Sequence, residues 1–167
     1  WFLKHLNPEG FAYNIGGAVE IQTVLNPARM FEAVRTLIRR HPLLRANFVQ
    51  QGSQATQLIS REPKEDIALI DMAGADWDSV YNHIIREYRK PYDLARDPLM
   101  RFRLYRLADD RWIMMKAVHH IISDAISTFT FIEELLSLYE GAVRGETVTL
   151  PPAKARYLDY VNWQNKF

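Results

Sequence analysis

The chain has 167 residues, 48% of them apolar and 25% charged, a profile that suits one folded domain and excludes a disordered segment. Lys and Arg number 21 against 20 Asp and Glu, so a net charge of +1 supplies no global field for nucleic acid or an anionic membrane. The lack of cysteine excludes disulfides, a thiolate nucleophile and Cys-ligated zinc or iron–sulfur centres, and it suits a reducing cytoplasm.

The opening Trp1-Phe2-Leu3-Lys4-His5-Leu6 has neither an initiator Met nor the layout of a signal peptide, and it reads as a cut inside a larger protein. No apolar run in the chain reaches the roughly 18 residues of a membrane span. From Asn14 to Leu25 the pattern alternates, with Val19, Ile21 and Thr23 on one face and Glu20 and Gln22 on the other, which predicts a half-buried strand. Asn26 and Pro27 then open a helix as N-cap and first helical residue. Its apolar stripe is Met30/Phe31, Val34 and Leu37/Ile38, and His41-Pro42 stops it.

Leu43 to Gln50 is expected as a strand that turns at Gln51-Gly52 into Ala55–Ser60. Ile67–Asp71 is a short strand. Asp76 to Lys90 is the clearest helix, with Trp77, Val80, Tyr81, Ile84, Ile85 and Tyr88 on one side and Pro91 after its end. Leu99 to Leu107 sets Met100, Phe102 and Leu104 against Arg101, Arg103 and Tyr105. After a turn at Asp109-Asp110, Arg111 to Val118 returns as a more uniformly apolar strand, expected at the centre of a sheet. The basic runs Arg35–Arg40 and Arg101–Arg106 read as a solvated helix face and a strand's outer face. A helix follows from about Ser127 to Arg144, with Ile132, Leu135, Leu136, Tyr139 and Val143 inward and Gly145 as its cap. Pro151-Pro152 precedes a last helix over Tyr157–Lys166. Hairpins mixed with long helices predict an α+β fold, a mixed α/β sandwich with a largely antiparallel sheet covered by helices.

His119 and His120 close the apolar strand. Adjacent strand residues point to opposite faces, so the two imidazoles do not converge on one metal, in contrast to the two His of a His-Glu-x-x-His helix. One is expected in the packing and the other in a cavity, as a single working base. Asp124 has three open roles. It could cap the next helix, fix a histidine tautomer, or pair with Arg45, which lies in the otherwise apolar Leu43-Leu44-Arg45-Ala46-Asn47-Phe48. His83 reads as a helix-surface residue and His41 as a helix terminator.

His119-His120-Ile121-Ile122-Ser123-Asp124, followed by Ala125, resembles the His-His-x-x-x-Asp-Gly signature of condensation domains of nonribosomal peptide synthetases. Arg40-His41-Pro42-Leu43-Leu44-Arg45-Ala46-Asn47-Phe48 is similar to that family's Arg-His-x-x-Leu-Arg-x-x-Phe motif. Tyr13-Asn14-Ile15 and Tyr157-Leu158-Asp159-Tyr160-Val161-Asn162-Trp163-Gln164 resemble two further family segments, and Trp1-Phe2-Leu3 resembles the tail of the first.

The resemblance implies a chloramphenicol-acetyltransferase-like lobe. Residues 1–167 would form the N-terminal one of two lobes, with the C-terminal lobe that completes the active-site tunnel absent. It further implies amide formation between a donor acyl or peptidyl thioester and an acceptor amine. Both would ride on phosphopantetheine arms of upstream and downstream carrier domains, beside a neighbouring adenylation domain. No metal and no cofactor bound by the lobe itself is implied. His120 would act as base or orient the amine. His119, Asp124 and Arg45 would be structural, the last two as a pair. Ala125 in place of Gly would be strained if that position needed a positive φ, and Pro42 replaces a common Glu. Two alternatives stand beside this reading: a catalytically idle or altered platform docking carrier proteins or a tailoring enzyme, and a coenzyme A-dependent acyltransferase. The isolated lobe is expected to be inactive.

Overall fold

The computed structural model describes residues 1–52, 54–62, 64–152, 157–164 and 166. A short helix α1 (Phe2–Leu6) precedes strand β1 (Asn14–Ile21) and helix α2 (Pro27–Arg40). A 3₁₀ turn (Pro42–Arg45) leads into the hairpin β2 (Ala46–Gln51) and β3 (Gln54–Ile59). Next come β4 (Asp66–Asp71), α3 (Trp77–Arg89), the hairpin β5 (Met100–Ala108) and β6 (Arg111–His119), α4 (Ala125–Arg144) and α5 (Tyr157–Gln164). The expected end of the last helix passes over Asn165, which lies outside the described residues.

The main sheet has the order β1-β6-β5-β4. β6 pairs antiparallel with both β1 and β5, and β4 runs parallel to β5. The apolar strand is thus internal, as its composition predicts. β2 and β3 form a separate two-stranded sheet. Local chemistry sets the helix ends. The Asn26 side chain accepts from Arg29 N–H at 3.1 Å, and α2 ends at His41, before Pro42. Asp76 caps α3 by accepting from Ser79 N–H at 2.8 Å, and Gly145 ends α4 with φ +74°.

Both faces of the sheet are covered. Trp112, Met114 and Val118 of β6 pack with Met30, Val34, Leu37, Phe131 and Leu135 of α2 and α4. Ile113, Met115 and Ala117 pack with Val80 and Ile84 of α3. Each fully buried aliphatic side chain contributes about 1.5–3 kcal/mol of transfer free energy.

This second layer corrects the reading of Arg101–Arg106 as a solvated face. Arg101 and Arg103 are 5% and 6% exposed, beneath the C-terminal end of α3. Arg103 Nε donates to Glu87 Oε2 at 2.8 Å, and its Nη2 lies 2.6 Å from Asp66 Oδ1. Arg101 Nε donates to Asp66 Oδ2 at 3.0 Å. Burial alone would raise the Glu87 carboxyl, but hydrogen bonds from Lys90 and Arg103 outweigh it and hold the group below the usual carboxylate range. Other boundaries move as well. The strand expected from Leu43 begins at Ala46, because Pro42 nucleates a 3₁₀ turn. On α4 the buried residues are Phe131, Leu135 and Gly141, while Leu136 and Val143 are exposed. On α3 Trp77 and Tyr81 stay half exposed, beside the edge strand β1.

Candidate active site

β1 meets β6 with Asn14 opposite His119. Asn14 Nδ2 donates to the carbonyls of Tyr88 and Lys90 at 2.7 and 3.0 Å, and Tyr88 OH donates to Asn14 O at 2.7 Å. Two residues on, Gly16 has φ +140°, and a Cβ there would sit 2.0 Å from Lys116 O, so β1 can lie this close to β6 only with glycine. This joint fixes the end of β6, where the two histidines sit.

The two imidazoles differ in burial: β6 ends at His119, and His120 lies in the turn that follows. His119 is 4% exposed and lies between the rings of Tyr13 and Tyr92, at centroid distances of 6.1 and 6.2 Å. Its Nδ1 accepts from Ile121 N–H at 3.2 Å, which assigns the proton to Nε2. Nε2 is buried and has no hydrogen-bond partner among the described residues. Burial, reinforced by the Lys4 ammonium, pushes the His119 imidazole down to about 4, so it is neutral at physiological pH. His120 is exposed, and its backbone N–H donates to Tyr13 O at 2.8 Å. Both rings line a cavity of about 260 Å³, together with Trp1, Leu3, Lys4, Tyr13 and Ile121. Lys4 is itself anchored, donating to the carbonyls of Pro8 and Gly10.

Of the three roles open to Asp124, the structure takes the helix cap. Its Oδ1 accepts from Ser127 N–H at 2.7 Å, and that bond holds the carboxyl below the usual carboxylate range. The expected Asp124–Arg45 pair is not formed among the described residues. Arg45 lies in the 3₁₀ turn rather than in a strand, and its Nη1 donates to Ser60 O across to the end of β3. Ala125 is the first residue of α4, and no described residue other than glycine has a positive φ. Its methyl therefore meets no backbone strain.

Sequence reading missed further groups around the site. His41 Nε2 lies 2.5 Å from Glu134 Oε2, and Arg40 Nε donates to Glu134 Oε1 at 3.1 Å, so the helix terminator also ties α2 to α4. His83 is half-buried, 3.3 Å from Tyr105 OH, rather than a free surface group. Lys116, the one charge inside the apolar stretch Trp112–Val118, is buried. Its signal in the sequence was that lone interruption.

The chain matches the family model described as "Condensation domain" over residues 1–167. It is 32% identical over 166 residues to tyrocidine synthase 3 of Brevibacillus parabrevis, covering 99% of this chain and 2% of that protein. Among solved structures, the starter condensation domain of rhizomide synthetase superposes with a TM-score of 0.90 at 23% identity, over 99% of this chain and 40% of that one. The X-domain from teicoplanin biosynthesis, solved in complex with OxyB, superposes with a TM-score of 0.88 at 21% identity, over 99% and 36% of the two chains. The shared architecture is the chloramphenicol-acetyltransferase-like fold.

Proposed function

The chain belongs to the condensation-domain family of nonribosomal peptide synthetases, and from that premise we propose that it is the N-terminal lobe of a domain joining a carrier-tethered acyl or peptidyl thioester to the amine of a carrier-tethered acceptor. In this reaction the amine nitrogen attacks the thioester carbonyl. A C–N bond forms, the C–S bond breaks, and the carrier's phosphopantetheine thiol leaves. The acceptor amine has an ordinary pKa near 8 and must be neutral to attack. His120, at the mouth of the cavity, is the group assigned to hold or accept its proton. His119, buried and neutral, sets the backbone from which His120 projects.

The observation that carries this reading is the contrast in burial at the end of β6: of two histidines lining one cavity, His119 is packed between tyrosine rings and His120 is exposed. That the chain spans 40% of the starter condensation domain supports a lobe that shares its tunnel with a second one. Carriers and an adenylation domain are the implied partners, on phosphopantetheine arms rather than through a resident cofactor. The test is amide formation from loaded carriers by the whole domain, native against His120→Ala. Equal product from both would end the catalytic assignment, and turnover by the 167-residue chain alone would overturn the shared-tunnel reading.

A second reading is a platform that docks a partner protein, a use for which the similarly folded X-domain, solved in complex with OxyB, is the model. The same assay separates the two, since a platform yields no product with either variant.

A further inference from the structure

Four cations are buried among the described residues: Lys4, Arg101, Arg103 and Lys116. Arg101 and Arg103 face the carboxylates of Asp66 and Glu87. Lys4 donates to two backbone carbonyls. Lys116 differs. At 5% exposure, it donates to Thr128 Oγ1 at 3.2 Å and sits 4.9 Å from the centre of the Phe131 ring, and no ion pair reaches it among the described residues. Glu134, farther along α4, is already held by Arg40 and His41. A buried cation without a carboxylate or an equivalent acceptor set is costly, and a ligand's anionic group is one source of the missing charge.

Lys116 lines a pocket of about 210 Å³. Its apolar wall includes Leu43 and Ile126, and Ser123, Ser127 and Thr130 add hydroxyl-bearing side chains. Ile122 and Ser123, also in the lining, belong to the loop directly after His120. The volume falls below the roughly 300 Å³ of ordinary small-molecule sites, so it suits a short side chain rather than a whole ligand.

We propose that this pocket binds the carboxylate of an acidic acyl or aminoacyl substrate, with Lys116 as its counter-charge and the pocket's serine and threonine hydroxyls as further donors. The inference rests on the thioester-condensing reading of the site and names the substrate class that reading leaves open. Burial pushes the Lys116 ammonium down to about 8, with no nearby charge acting on it, and an entering carboxylate would favour the charged form and raise it again. The pocket's apolar rim accounts for a chain of a few methylenes leading to the acid.

The test uses two probes on the intact domain: glutaryl-N-acetylcysteamine thioester, and the same molecule with its free acid capped as a methyl ester. Binding is followed by NMR of the lysine ε-methylene groups, so it requires no turnover. The acid probe is expected to shift the Lys116 resonance and to bind about tenfold or more tightly than the capped one, the scale of one charge-assisted hydrogen bond. Lys116→Met should remove that preference. Equal binding of both probes, an unmoved Lys116 resonance, or an undiminished preference in Lys116→Met would overturn the assignment. The two-probe comparison on native protein stands even if the variant fails to fold. Carriers loaded with glutamate or glutamine, offered in turn as donor and as acceptor, then identify which substrate carries the acid, and a preference in neither position refutes a substrate role. If product forms equally with His120→Ala while the acid probe still binds, the catalytic reading fails and the pocket stands.

Discussion

Replacing Asp124 distinguishes a helix cap from a buried ion pair. Its Oδ1 accepts Ser127 N–H at 2.7 Å at the start of α4, and the residue is exposed. A lost Asp cap costs about 0.5–2 kcal/mol, typically about 1. Stripping one partner from a buried ion pair costs about 3–5 kcal/mol. Asp124→Ala is therefore expected to lose about 1–2 kcal/mol. Asp124→Ser keeps an accepting oxygen at the cap but cannot neutralise a guanidinium, so it should lose less than about 1 kcal/mol, mostly the favourable interaction of a negative charge with the helix end. Urea unfolding followed by circular dichroism resolves the difference. With a slope of about 2 kcal/mol/M, a loss of 1 kcal/mol moves the midpoint by about 0.5 M. Combination with Arg45→Met should be additive within about 0.5 kcal/mol, since Arg45 bonds Ser60 O instead. A loss above about 3 kcal/mol in Asp124→Ser, or a coupling to Arg45 above about 1 kcal/mol, would refute the cap assignment. The depressed carboxyl pKa also sets a sign. The contribution is present above the unfolded carboxylate range and is lost as pH falls through the folded value, so native and Asp124→Ala converge in acid.

Ala125→Gly, the change toward the more usual family residue, should cost up to about 1 kcal/mol, because Ala125 occupies a helical position with no strain to relieve; a stability gain in the same urea assay would contradict this. His119 has a folded pKa of about 4 against an ordinary 6.5. Its contribution is complete above about pH 6.5 and is lost as pH falls toward 4, on the order of 3 kcal/mol in all. The pH dependence of unfolding between those limits should flatten in His119→Gln, and an unchanged limb would show that His119 is not the group responsible. Arg103→Met leaves the buried Glu87 carboxylate with only the half-exposed Lys90 ammonium, and should cost up to about 3–5 kcal/mol. Pairing it with Glu87→Met should recover much of that loss, and strict additivity in thermal or urea melts would count against the buried network.

What was legible in the sequence was local. Asn26-Pro27 opened a helix and His41-Pro42 closed it, because capping and proline sterics act within a few residues. The apolarity of Trp112–Val118 placed it inside the sheet, and of the two adjacent histidines one is buried and one exposed. What escaped depends on elements distant in the chain. Arg101 and Arg103 read as solvated because nothing near them announces that α3 covers that face. Arg45 was matched to Asp124 because it sat in an apolar stretch read as a strand and because the family resemblance implied the pair, but a proline three residues earlier set a 3₁₀ turn and Arg45 bonds Ser60. On the expected inward face of α4, Leu135 is buried and Ile132 and Tyr139 pack against the core, but Leu136 and Val143 are exposed and Phe131, which spacing left out, is buried instead.

The joint at Asn14 bears on how the site comes into being. Asn14 is hydrogen-bonded to residues 74 and 76 positions away, and it pairs in the sheet with His119. Closing chain loops of that length carries an entropy cost that no local turn offsets, and folds rich in such distant contacts form more slowly. The hairpin of β5 and β6 can assemble early by itself, but His120 would then project from an unanchored strand end. The His120 imidazole acquires its position only when β1 and the end of α3 have docked, so its placement doubles as a report that the long-range part of the fold is complete.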